Sequence, residues 1–429
     1  MKILVIGSGG REHAVIRKLK ENSRISKIYC APGNGGISKD AECVNIAPCD
    51  KEAMAAFCVE QKIDFAVVTP DDPLVAGMVD ALNEKGIRTF GPDQKAAILE
   101  GSKVFSKELM KKYGIPTAAY ETFDDPQKAI AYIEEQNSYP AVIKADGLAL
   151  GKGVIIAQDF EAAKEAVHSI MEDKMFGASG SRIVVEEFLT GPEVSVLSFC
   201  DGKTIVPMVS AMDHKRALDG DQGLNTGGMG TVAPNPYYTP AVAEECMKTI
   251  FLPTMEAMNQ EGRPFRGVIF FGLMITPKGP KVIEYNCRFG DPETQVVLPL
   301  LKSDLLDIFE AVSEGRLAEV PVEFDTQKHA ACVIEASGGY PQSYPKGLPI
   351  SGLDENGQSP LATVYHAGTK LENGVFCTNG GRVLGITQTG DSLQEALDKA
   401  YAAVDTISFE GGFCRKDIGK RALEAPQNK

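Results

Sequence analysis

The chain begins with the stretch Lys2-Ile-Leu-Val-Ile-Gly-Ser-Gly-Gly-Arg-Glu12, an apolar run that ends in a glycine-rich loop. Such a run predicts a buried strand that turns tightly into a helix. Residues 27–30, 65–69 and 88–90 are further β-rich runs, separated by helix-length segments. This alternation predicts right-handed crossovers and a parallel sheet, with ligand sites beyond the carboxyl ends of its strands. The loops expected at that edge are 7–12, 32–36 and 70–73.

The composition sets limits on the class of protein. At about 150 residues per domain, 429 residues predict about three domains. The net charge of −14 argues against general affinity for nucleic acid or for an anionic membrane. Ten cysteines without a Cys-x-x-Cys pair support neither a disulfide scaffold nor a zinc site, and free thiols fit a reducing compartment. No run approaches the ~20 apolar residues that span a bilayer. We therefore expect a soluble, cytoplasmic protein.

The pattern along the chain changes twice. Helical patterns at 52–61 and 74–85 are followed by one long predicted helix, 94–113, that bridges to a second region of β-hairpins and glycine loops. A third region opens near residue 329, holds short strands and ends in a helix at 393–404. The better strands of the second region are 139–144, 154–157, 182–189, 193–199 and 266–275.

The first glycine loop has two interpretations. A dinucleotide fingerprint needs glycine at its third position, where this chain has Glu12. The loop can still offer backbone N–H groups and the charge of Arg11 to an anion. A tight turn that binds nothing is about equally consistent with this loop alone.

A second glycine-rich segment is Lys144-Ala-Asp-Gly-Leu-Ala-Leu-Gly-Lys-Gly153. It fails the strict phosphate-loop pattern, because three residues instead of four separate its first two glycines and Gly153 replaces the metal-binding Ser or Thr. Flexible backbone amides beside lysines suit a lid that closes over a polyphosphate. A solvated turn with a surface lysine is the weaker alternative.

Two further segments carry polar groups that a core does not need. Val184-Val-Glu-Glu-Phe-Leu189, with Glu193 after it, could bind an adenine amino group and ribose hydroxyls, although such carboxylates are more often the polar end of a strand. Residues 213–230 hold five glycines and several charges, and a loop that long is usually functional or disordered. We predict that it encloses substrate.

The strongest constellation is Val282-Ile-Glu-Tyr-Asn-Cys-Arg-Phe-Gly-Asp-Pro-Glu-Thr-Gln295. Strand alternation places Val282, Glu284 and Asn286 on one face. Carboxylate and amide oxygens are ligands suited to Mg²⁺, and Arg288 could neutralise a phosphoryl group during transfer. A solvated strand edge is the alternative. The five histidines are scattered and support no metal cluster or catalytic triad. Residues 379–382 predict a hairpin turn.

Together these motifs resemble the glycinamide ribonucleotide synthetases, or phosphoribosylamine–glycine ligases, of the ATP-grasp superfamily. The resemblance covers nearly the whole chain, and the run Arg288-Phe-Gly-Asp-Pro-Glu-Thr-Gln295 is specific to this family. The other stretches that carry it are Val5-Ile-Gly-Ser-Gly-Gly-Arg-Glu-His13, Pro32-Gly-Asn-Gly-Gly36, Leu99-Glu-Gly-Ser-Lys103, Lys144-Ala-Asp-Gly-Leu148, Gly151-Lys-Gly153, Asn225-Thr-Gly-Gly-Met-Gly230, Tyr365-His-Ala-Gly-Thr369, Thr378-Asn-Gly-Gly-Arg-Val383 and Arg415-Lys-Asp-Ile-Gly419.

The resemblance implies a fold and a reaction. The fold is multidomain, α/β and α+β: a biotin-carboxylase-like N-terminal parallel-sheet domain (1–101), an ATP-grasp module (102–325) with a mobile lid lobe at about 120–190, and a small β-rich C-terminal domain (326–429). The reaction joins glycine to 5-phosphoribosylamine with ATP, giving glycinamide ribonucleotide, ADP and phosphate through glycyl phosphate, in de novo purine biosynthesis.

The resemblance also implies roles for individual residues. Arg288 and Lys144 would be catalytic, and Glu284 and Asn286 would hold Mg²⁺ or Mn²⁺. The residues implied in ATP binding are Lys103, Lys144, Gly147, Gly151, Gly153, Glu186, Glu187, Phe188, Leu189 and Glu193. The residues implied in holding glycine and phosphoribosylamine are Gly9, Gly10, Arg11, Asp213, Arg216, Asn225, Thr226, Gly227, Asp291 and Thr294.

Some positions depart from the family pattern. Thr69-Pro-Asp71 stands where Gly-Pro-Glu is usual, Leu224 where proline is usual, and Leu300 where arginine is common. Thr231-Val-Ala-Pro234 replaces a more typical Ala-Tyr-Ser-Pro. Residues 267–275 contain no acid, whereas ATP-grasp enzymes often carry a further acidic metal ligand on that strand.

Other functions compete with this interpretation. A nicotinamide-dependent dehydrogenase leaves the cluster of Glu284, Asn286 and Arg288 unexplained, and a non-catalytic ATP-binding regulator would not need loop 288–295. The nearest alternative is an ATP-grasp ligase that joins another small carboxylate to an amine. The resemblance predicts a monomer or weak homodimer.

Overall fold

The N-terminal region is a parallel sheet with helices around it, as the sequence predicts. The structure is a computed structural model that describes residues 1–149 and 153–426. The sheet runs in the order Glu42–Cys43, Lys27–Pro32, Lys2–Gly7, Phe65–Val68, Arg88–Phe90, with every pair parallel. The helices of this region are Gly10–Leu19, Lys51–Gln61, Asp71–Val75 and Met78–Glu84.

Two predicted helices are each divided in the structure. Segment 94–113 forms Gln94–Gly101 and Lys103–Tyr113, because Ser102 is extended and its hydroxyl caps the second helix by accepting from the Phe105 N–H. The Ser102 hydroxyl also donates to the Asp146 carboxylate at 2.8 Å, a contact that a continuous helix would not allow. Segment 74–85 is interrupted at Gly77, whose φ of +86° suits glycine.

The middle region contains two antiparallel sheets of four strands. One sheet runs Tyr120–Phe123, Ile183–Glu187, Ala141–Ala145, Val154–Ala157, and the other runs Ile205–Pro207, Glu193–Cys200, Gly267–Thr276, Gly279–Asn286. The first sheet lies within the predicted lid lobe. A bridge between Thr117 and Val282 leads from it to the second sheet. The helices here are Pro126–Gln136, Phe160–Val167, Pro240–Cys246, Leu252–Gln260, Thr294–Val297 and Leu305–Glu314.

Segment 213–230, predicted as a long loop, contains a hairpin of Arg216–Leu218 and Gln222–Asn225. The strands on either side of the hairpin, Met212–Asp213 and Gly230–Ala233, pair with each other, and Gly230–Ala233 also pairs with strand His329–Ala336 of the C-terminal region. Segment 213–230 is therefore anchored to a sheet at both ends.

The C-terminal region is β-rich, as the resemblance implies. Its main sheet runs Met212–Asp213, Gly230–Ala233, His329–Ala336, Arg382–Gly390, Thr363–His366, so strands from the middle of the chain complete it. Thr369–Glu372 and Val375–Thr378 form a separate hairpin. The helices are Leu393–Val404 and Lys420–Leu423. No helix within the described residues is long and apolar enough to cross a membrane.

Three buried histidines join segments that lie far apart in the chain. His13 accepts from the His366 N–H at 2.8 Å, His366 contacts the Gly357 carbonyl at 2.7 Å, and the Nε2 atom of His214 accepts from the Gly419 N–H at 3.0 Å. Burial lowers the pKa of all three rings, to about 4 for His214 and about 3 for His366. Each ring is therefore neutral in the folded protein at physiological pH.

This arrangement predicts acid-sensitive stability. A histidine with a depressed folded pKa contributes stability above its unfolded pKa of about 6.5, and loses it as the pH falls towards the folded value. Replacing His214 by Asn should lower the free energy of unfolding at about pH 7.5, and the difference from wild type should shrink by about 2 kcal/mol at about pH 5. Urea titrations at both pH values measure this. Differences that stay constant with pH would show that His214 does not take up a proton on unfolding.

Candidate active site

Strand Gly279–Asn286, which carries the predicted metal ligands Glu284 and Asn286, contains a β-bulge. Gly272 pairs with Glu284 but its neighbour Leu273 pairs with Val282, so Ile283 is an extra residue. The bulge breaks the alternation, and Val282 packs into the hydrophobic core beside Tyr285. The prediction that Val282 shares a face with Glu284 and Asn286 was therefore wrong, because simple alternation does not hold across a bulge.

Glu284 lies among several positive charges. Burial alone would raise the pKa of this carboxyl, but nearby lysines outweigh burial and hold the pKa below its usual value. These lysines are Lys215, Lys144 and Lys103. On the neighbouring strand, a Cβ at Gly272 would come within 3.0 Å of the Glu284 Cγ, so glycine gives this side chain its room. Glu284 is thus an ionised acceptor beside three cations.

Arg288 is held beside Asn286, the second predicted metal ligand. Its guanidinium lies 3.0 Å from the Glu100 carboxylate and donates to the Asn286 amide oxygen at 3.2 Å. Glu100 is buried and also accepts from the Cys287 N–H at 2.7 Å. The sequence analysis did not identify Glu100, since a glutamate inside a helical pattern carries no signal of its distant partner.

Lys103 and the glycine-rich hairpin meet directly. The Lys103 ammonium donates to the Gly147 carbonyl at 3.0 Å. Asp146, also not predicted, accepts from the Ser102 hydroxyl and the Val104 N–H, and pairs with Arg182 at 2.7 Å. These bonds fix the start of the hairpin onto helix Lys103–Tyr113. Gly151, a predicted ATP ligand, lies outside the described residues.

Lys144 is buried, with 5% of its surface exposed, beneath the predicted adenine segment. Its ammonium lies 3.0 Å from the Glu186 carboxylate and donates to the Ile283 carbonyl at 3.1 Å. Lys144 therefore links the hairpin strand to the bulge beside Glu284.

The rest of the predicted adenine segment is more open. Phe188 is 40% exposed, and Glu187 is exposed and bridges the Ala119 N–H and Lys281, both at 3.0 Å. Leu189 is half-buried and Glu193 is exposed at the start of its strand. Segment 187–193 thus leaves surface free for a ligand.

At the far end of the hairpin, the Gly153 carbonyl accepts from the Ala145 N–H at 2.8 Å.

The N-terminal glycine loop is filled by its own side chains. Glu12 folds back to accept from the Gly9 N–H at 2.5 Å, and a Cβ at Gly7 would overlap it. Arg11 pairs with Glu12 at 2.6 Å and donates to the Phe289 carbonyl at 3.1 Å. Thr69, one of the positions that depart from the family pattern, donates to Glu12 at 2.7 Å. Arg11 therefore holds loop 288–295 in place.

Asp291 connects that loop to the helix start and to the C-terminal region. Its carboxylate accepts from the Arg11 N–H at 3.3 Å and lies 3.3 Å from the Arg382 guanidinium. Burial would raise the pKa of Asp291, but Arg382 and Arg11 outweigh burial and keep it low. Thr294 is fully buried and its hydroxyl donates to the Gly290 carbonyl. Gly10 packs against Gln295 of the same loop.

A cavity of about 710 Å³ lies between the N-terminal loops and the C-terminal region. Its walls include Gly9, Asn34, Asp291, Lys370 and Arg382. The turn predicted at 379–382 is not a hairpin, because strands Val375–Thr378 and Arg382–Gly390 belong to different sheets. Asn379, Gly380 and Arg382 line this cavity instead.

Segment 213–230 reaches the same area. Arg382 donates to the carbonyls of Gly227 and Asp291, both at 2.8 Å. The Gly227 N–H in turn donates to the Tyr340 hydroxyl at 3.1 Å. Arg382 and Tyr340 were not identified from the sequence, because only the fold brings the C-terminal region to this loop.

The other predicted residues of this segment differ in position. Burial, with the charge of Glu293, raises the pKa of Asp213 to about 7, and Lys215 lies 3.7 Å from its carboxylate. Thr226 bonds the Lys215 carbonyl at 2.8 Å, while Arg216 donates to Gly223 within the hairpin. Asn225 is exposed. Asp213 therefore lies near the site, and Arg216 and Asn225 lie on the outer hairpin.

The geometry can be compared with known proteins. Three family models match the chain: the phosphoribosylglycinamide synthetase N domain over residues 1–100, its ATP-grasp (A) domain over 101–294, and its C domain over 330–421. These matches cover most of the chain.

Individual relatives agree with the family models. The chain is 50% identical over 418 residues to a phosphoribosylamine–glycine ligase of Caldanaerobacter subterraneus subsp. tengcongensis, covering 97% of this chain and 99% of that protein. It resembles the crystal structure of a phosphoribosylamine–glycine ligase from Thermotoga maritima, with a TM-score of 0.85, 32% identity, and coverage of 97% and 100% of the two chains.

A more distant similarity concerns the fold alone. The biotin carboxylase domain of a Hydrogenobacter thermophilus 2-oxoglutarate carboxylase matches with a TM-score of 0.74 at 18% identity, covering 99% of this chain and 97% of that one. The expected biotin-carboxylase-like architecture is thereby confirmed. With matching models over all three regions and half of its residues shared with a full-length relative, the chain belongs to the phosphoribosylglycinamide synthetase family.

Proposed function

We propose that the protein joins glycine to 5-phosphoribosylamine, with ATP converted to ADP and phosphate and glycinamide ribonucleotide as product. The observation that carries this proposal is the meeting of two oxygen donors, Glu284 and Asn286, with the cations of Lys144 and Arg288 at one strand end. Family membership supports it, because the relatives named above are phosphoribosylamine–glycine ligases over their whole length.

The chemistry explains why these groups are needed. The carboxylate of glycine is a poor electrophile, so the γ-phosphoryl group of ATP is first transferred to it, giving glycyl phosphate. The amine of phosphoribosylamine then attacks the carbonyl carbon, and phosphate leaves. Phosphoryl transfer depends mainly on positioning and on charge neutralisation. Lysines and an arginine on a rigid strand serve both purposes.

The donor set fits a divalent cation. Glu284 is ionised, and Asn286 offers an amide oxygen one strand repeat away. Within the described residues no group of three or more His, Cys, Asp or Glu side chains could hold a metal. Two protein oxygens suit Mg²⁺ or Mn²⁺, which take further oxygens from phosphates and water. When bound, the cation would neutralise charge on the ATP phosphates.

Arg288 and the hairpin supply the remaining functions. Arg288, held by Glu100, directs positive charge towards the transferring phosphoryl group. Glycyl phosphate hydrolyses in open water, so hairpin 144–153 closes over the nucleotide before the chemical step. Lys103 and the backbone around Gly147 bind the phosphates, the backbone of residues 186–189 binds adenine, and Glu193 binds the ribose.

The cavity between the N- and C-terminal regions receives the amine substrate. Asn34, Lys370 and Arg382 line it and can bind the hydroxyls and phosphate of a phosphorylated ribose. Asp291 belongs both to the cavity wall and to loop 288–295, where the amine meets the activated glycine. Ten free cysteines agree with a reducing cytoplasm. The protein acts as a monomer or weak homodimer.

The direct experiment incubates the protein with ATP, Mg²⁺ or Mn²⁺, glycine and freshly prepared phosphoribosylamine, and detects the amide product by mass spectrometry. Phosphate release with alanine or bicarbonate in place of glycine tests the alternative ligase. Release that does not depend on glycine would contradict the proposal.

Replacing Glu284 by Gln should lower amide synthesis about 100-fold, because the divalent cation loses its anionic protein ligand and with it the positive charge that would offset charge on the phosphates. Calorimetry should also show weaker uptake of Mg²⁺ in the presence of a non-hydrolysable ATP analogue. The control is Glu256→Gln, which changes an exposed carboxylate of helix Leu252–Gln260. Unchanged metal uptake in the Glu284 variant would remove this residue from the metal site.

Replacing Arg382 by Gln should raise the KM for phosphoribosylamine about tenfold, since a loss of about 1.4 kcal/mol in binding corresponds to that factor. The KM for ATP should change little, because Arg382 contacts loops 213–230 and 288–295 and not the hairpin. Steady-state kinetics with each substrate varied in turn measure this. An equal rise in both KM values would instead indicate a general loss of structure, and the exposed Lys399→Gln variant serves as control.

Replacing Gly153 by Ala should impair closure, since its Cβ would stand 2.7 Å from the Ala149 Cβ. Amide synthesis should slow, and a larger share of ATP should be hydrolysed without product. The ratio of phosphate to amide measures this coupling. A ratio that stays at the wild-type value, with normal turnover, would contradict a lid function for the hairpin.

A further inference from the structure

One buried carboxylate lies between two lysines in the interior behind the predicted nucleotide site. The two oxygens of Glu186 are divided between them: Lys144 lies 3.0 Å from Oε1 and Lys107 lies 3.2 Å from Oε2. Glu186 and Lys144 are 5% exposed and Lys107 is 2% exposed. Three charges with so little exposure to water are energetically costly unless they compensate one another within the cluster.

The two lysines come from different elements. Lys144 is on strand Ala141–Ala145, which pairs with the strand of Glu186, Ile183–Glu187. Lys107 extends from helix Lys103–Tyr113. It is not among the residues proposed to bind ATP, metal or substrate. With 2% of its surface exposed, Lys107 is too deeply buried to touch a nucleotide bound at the surface of the predicted adenine segment.

Lys144 contacts strand Gly279–Asn286 directly, and Lys107 is linked to it through Thr117. Lys144 donates to the Ile283 carbonyl at 3.1 Å. Lys107 donates to the Thr117 hydroxyl at 2.7 Å, and that hydroxyl donates to the Val282 carbonyl at 2.7 Å. Two consecutive carbonyls of the bulge are therefore connected to the cluster, Ile283 directly to Lys144 and Val282 to Lys107 through the Thr117 hydroxyl.

The net charge of the cluster formed by Lys107, Lys144 and Glu186 indicates what Lys107 contributes. One lysine with one glutamate would form a neutral pair, and Lys144 would have no surplus charge to offer a phosphate. Two lysines with one glutamate keep one net positive charge in the cluster. Burial lowers the pKa of Lys107 to about 8, so it remains mostly protonated at neutral pH.

We infer that Lys107 is a positioning residue for nucleotide binding: by occupying one oxygen of Glu186, it leaves the charge of Lys144 available to the polyphosphate of the nucleotide. This inference rests on the proposed function, because it takes ATP as the ligand of Lys144. Lys107 acts through Glu186 and Lys144 and makes no contact with the nucleotide.

The test compares affinities for a non-hydrolysable ATP analogue with Mg²⁺ and for adenosine, which has no phosphates, by calorimetry at neutral pH. Lys107→Met should weaken binding of the analogue about tenfold and change adenosine binding less than about twofold, because only phosphates respond to the lost charge. Lys107→Arg should retain affinity for the analogue, since the positive charge is kept.

A double variant makes the test specific. Lys107→Met with Glu186→Gln leaves Lys144 beside a neutral amide, which restores one net positive charge, so the ratio of analogue to adenosine affinity should return to within about threefold of wild type. Lys112→Met is the matched control, because Lys112 is on the same helix and forms an exposed ion pair with Glu261. It should leave both affinities unchanged.

The outcomes separate this inference from the proposed function. If the wild-type protein binds no ATP analogue, the proposed function fails. If the wild-type protein binds but Lys107→Met binds the analogue equally well, or loses analogue and adenosine affinity together without recovery in the double variant, the inference is overturned. Where Lys107→Met does not fold, Glu186→Gln alone decides: it should strengthen the preference for the analogue over adenosine, and a weaker preference overturns the inference.

Discussion

The site depends on one irregularity in a β-strand. The extra residue at Ile283 lets strand Gly279–Asn286 place Val282 and Tyr285 in the hydrophobic core while Glu284 and Asn286 remain beside the cations. A regular strand could not do both, because strict alternation would send one of these groups to the wrong face. The bulge also directs the Ile283 carbonyl to Lys144. Packing and chemistry are thus satisfied by the same few residues.

Buried charges then hold the three regions of the chain together. Glu100 of the helix that follows the N-terminal sheet holds Arg288, Glu12 holds Arg11 against loop 288–295, and Asp291 meets Arg382 from the C-terminal region. Glu12 and Glu100 are buried and Asp291 is half-buried, so each carboxylate would be costly without its partner. The positions of the proposed catalytic groups therefore depend on residues distributed over the whole sequence.

The C-terminal region takes part in the site through its sheet. Strands Met212–Asp213 and Gly230–Ala233 belong to the C-terminal sheet although they lie in the middle of the chain, so segment 213–230 is anchored from both sides. Arg415, which is almost fully buried, pairs with Asp417 at 2.8 Å and with Asp221 at 2.9 Å, and so holds the tip of the same segment. The C-terminal region thus determines the position of the loop that faces loop 288–295.

The sequence by itself determined the parallel N-terminal sheet, most strands of the middle region and the helix Leu393–Val404, because apolar periodicity and glycine turns are local signals. Contiguous motifs also led to the proposal that Glu284, Asn286, Lys144 and loop 288–295 belong to the active site. Only the tertiary structure decided the break at Ser102, the bulge at Ile283 and the parts played by Glu100, Asp146 and Arg382. Each of these depends on a partner tens or hundreds of residues away, and local periodicity carries no information about such a partner.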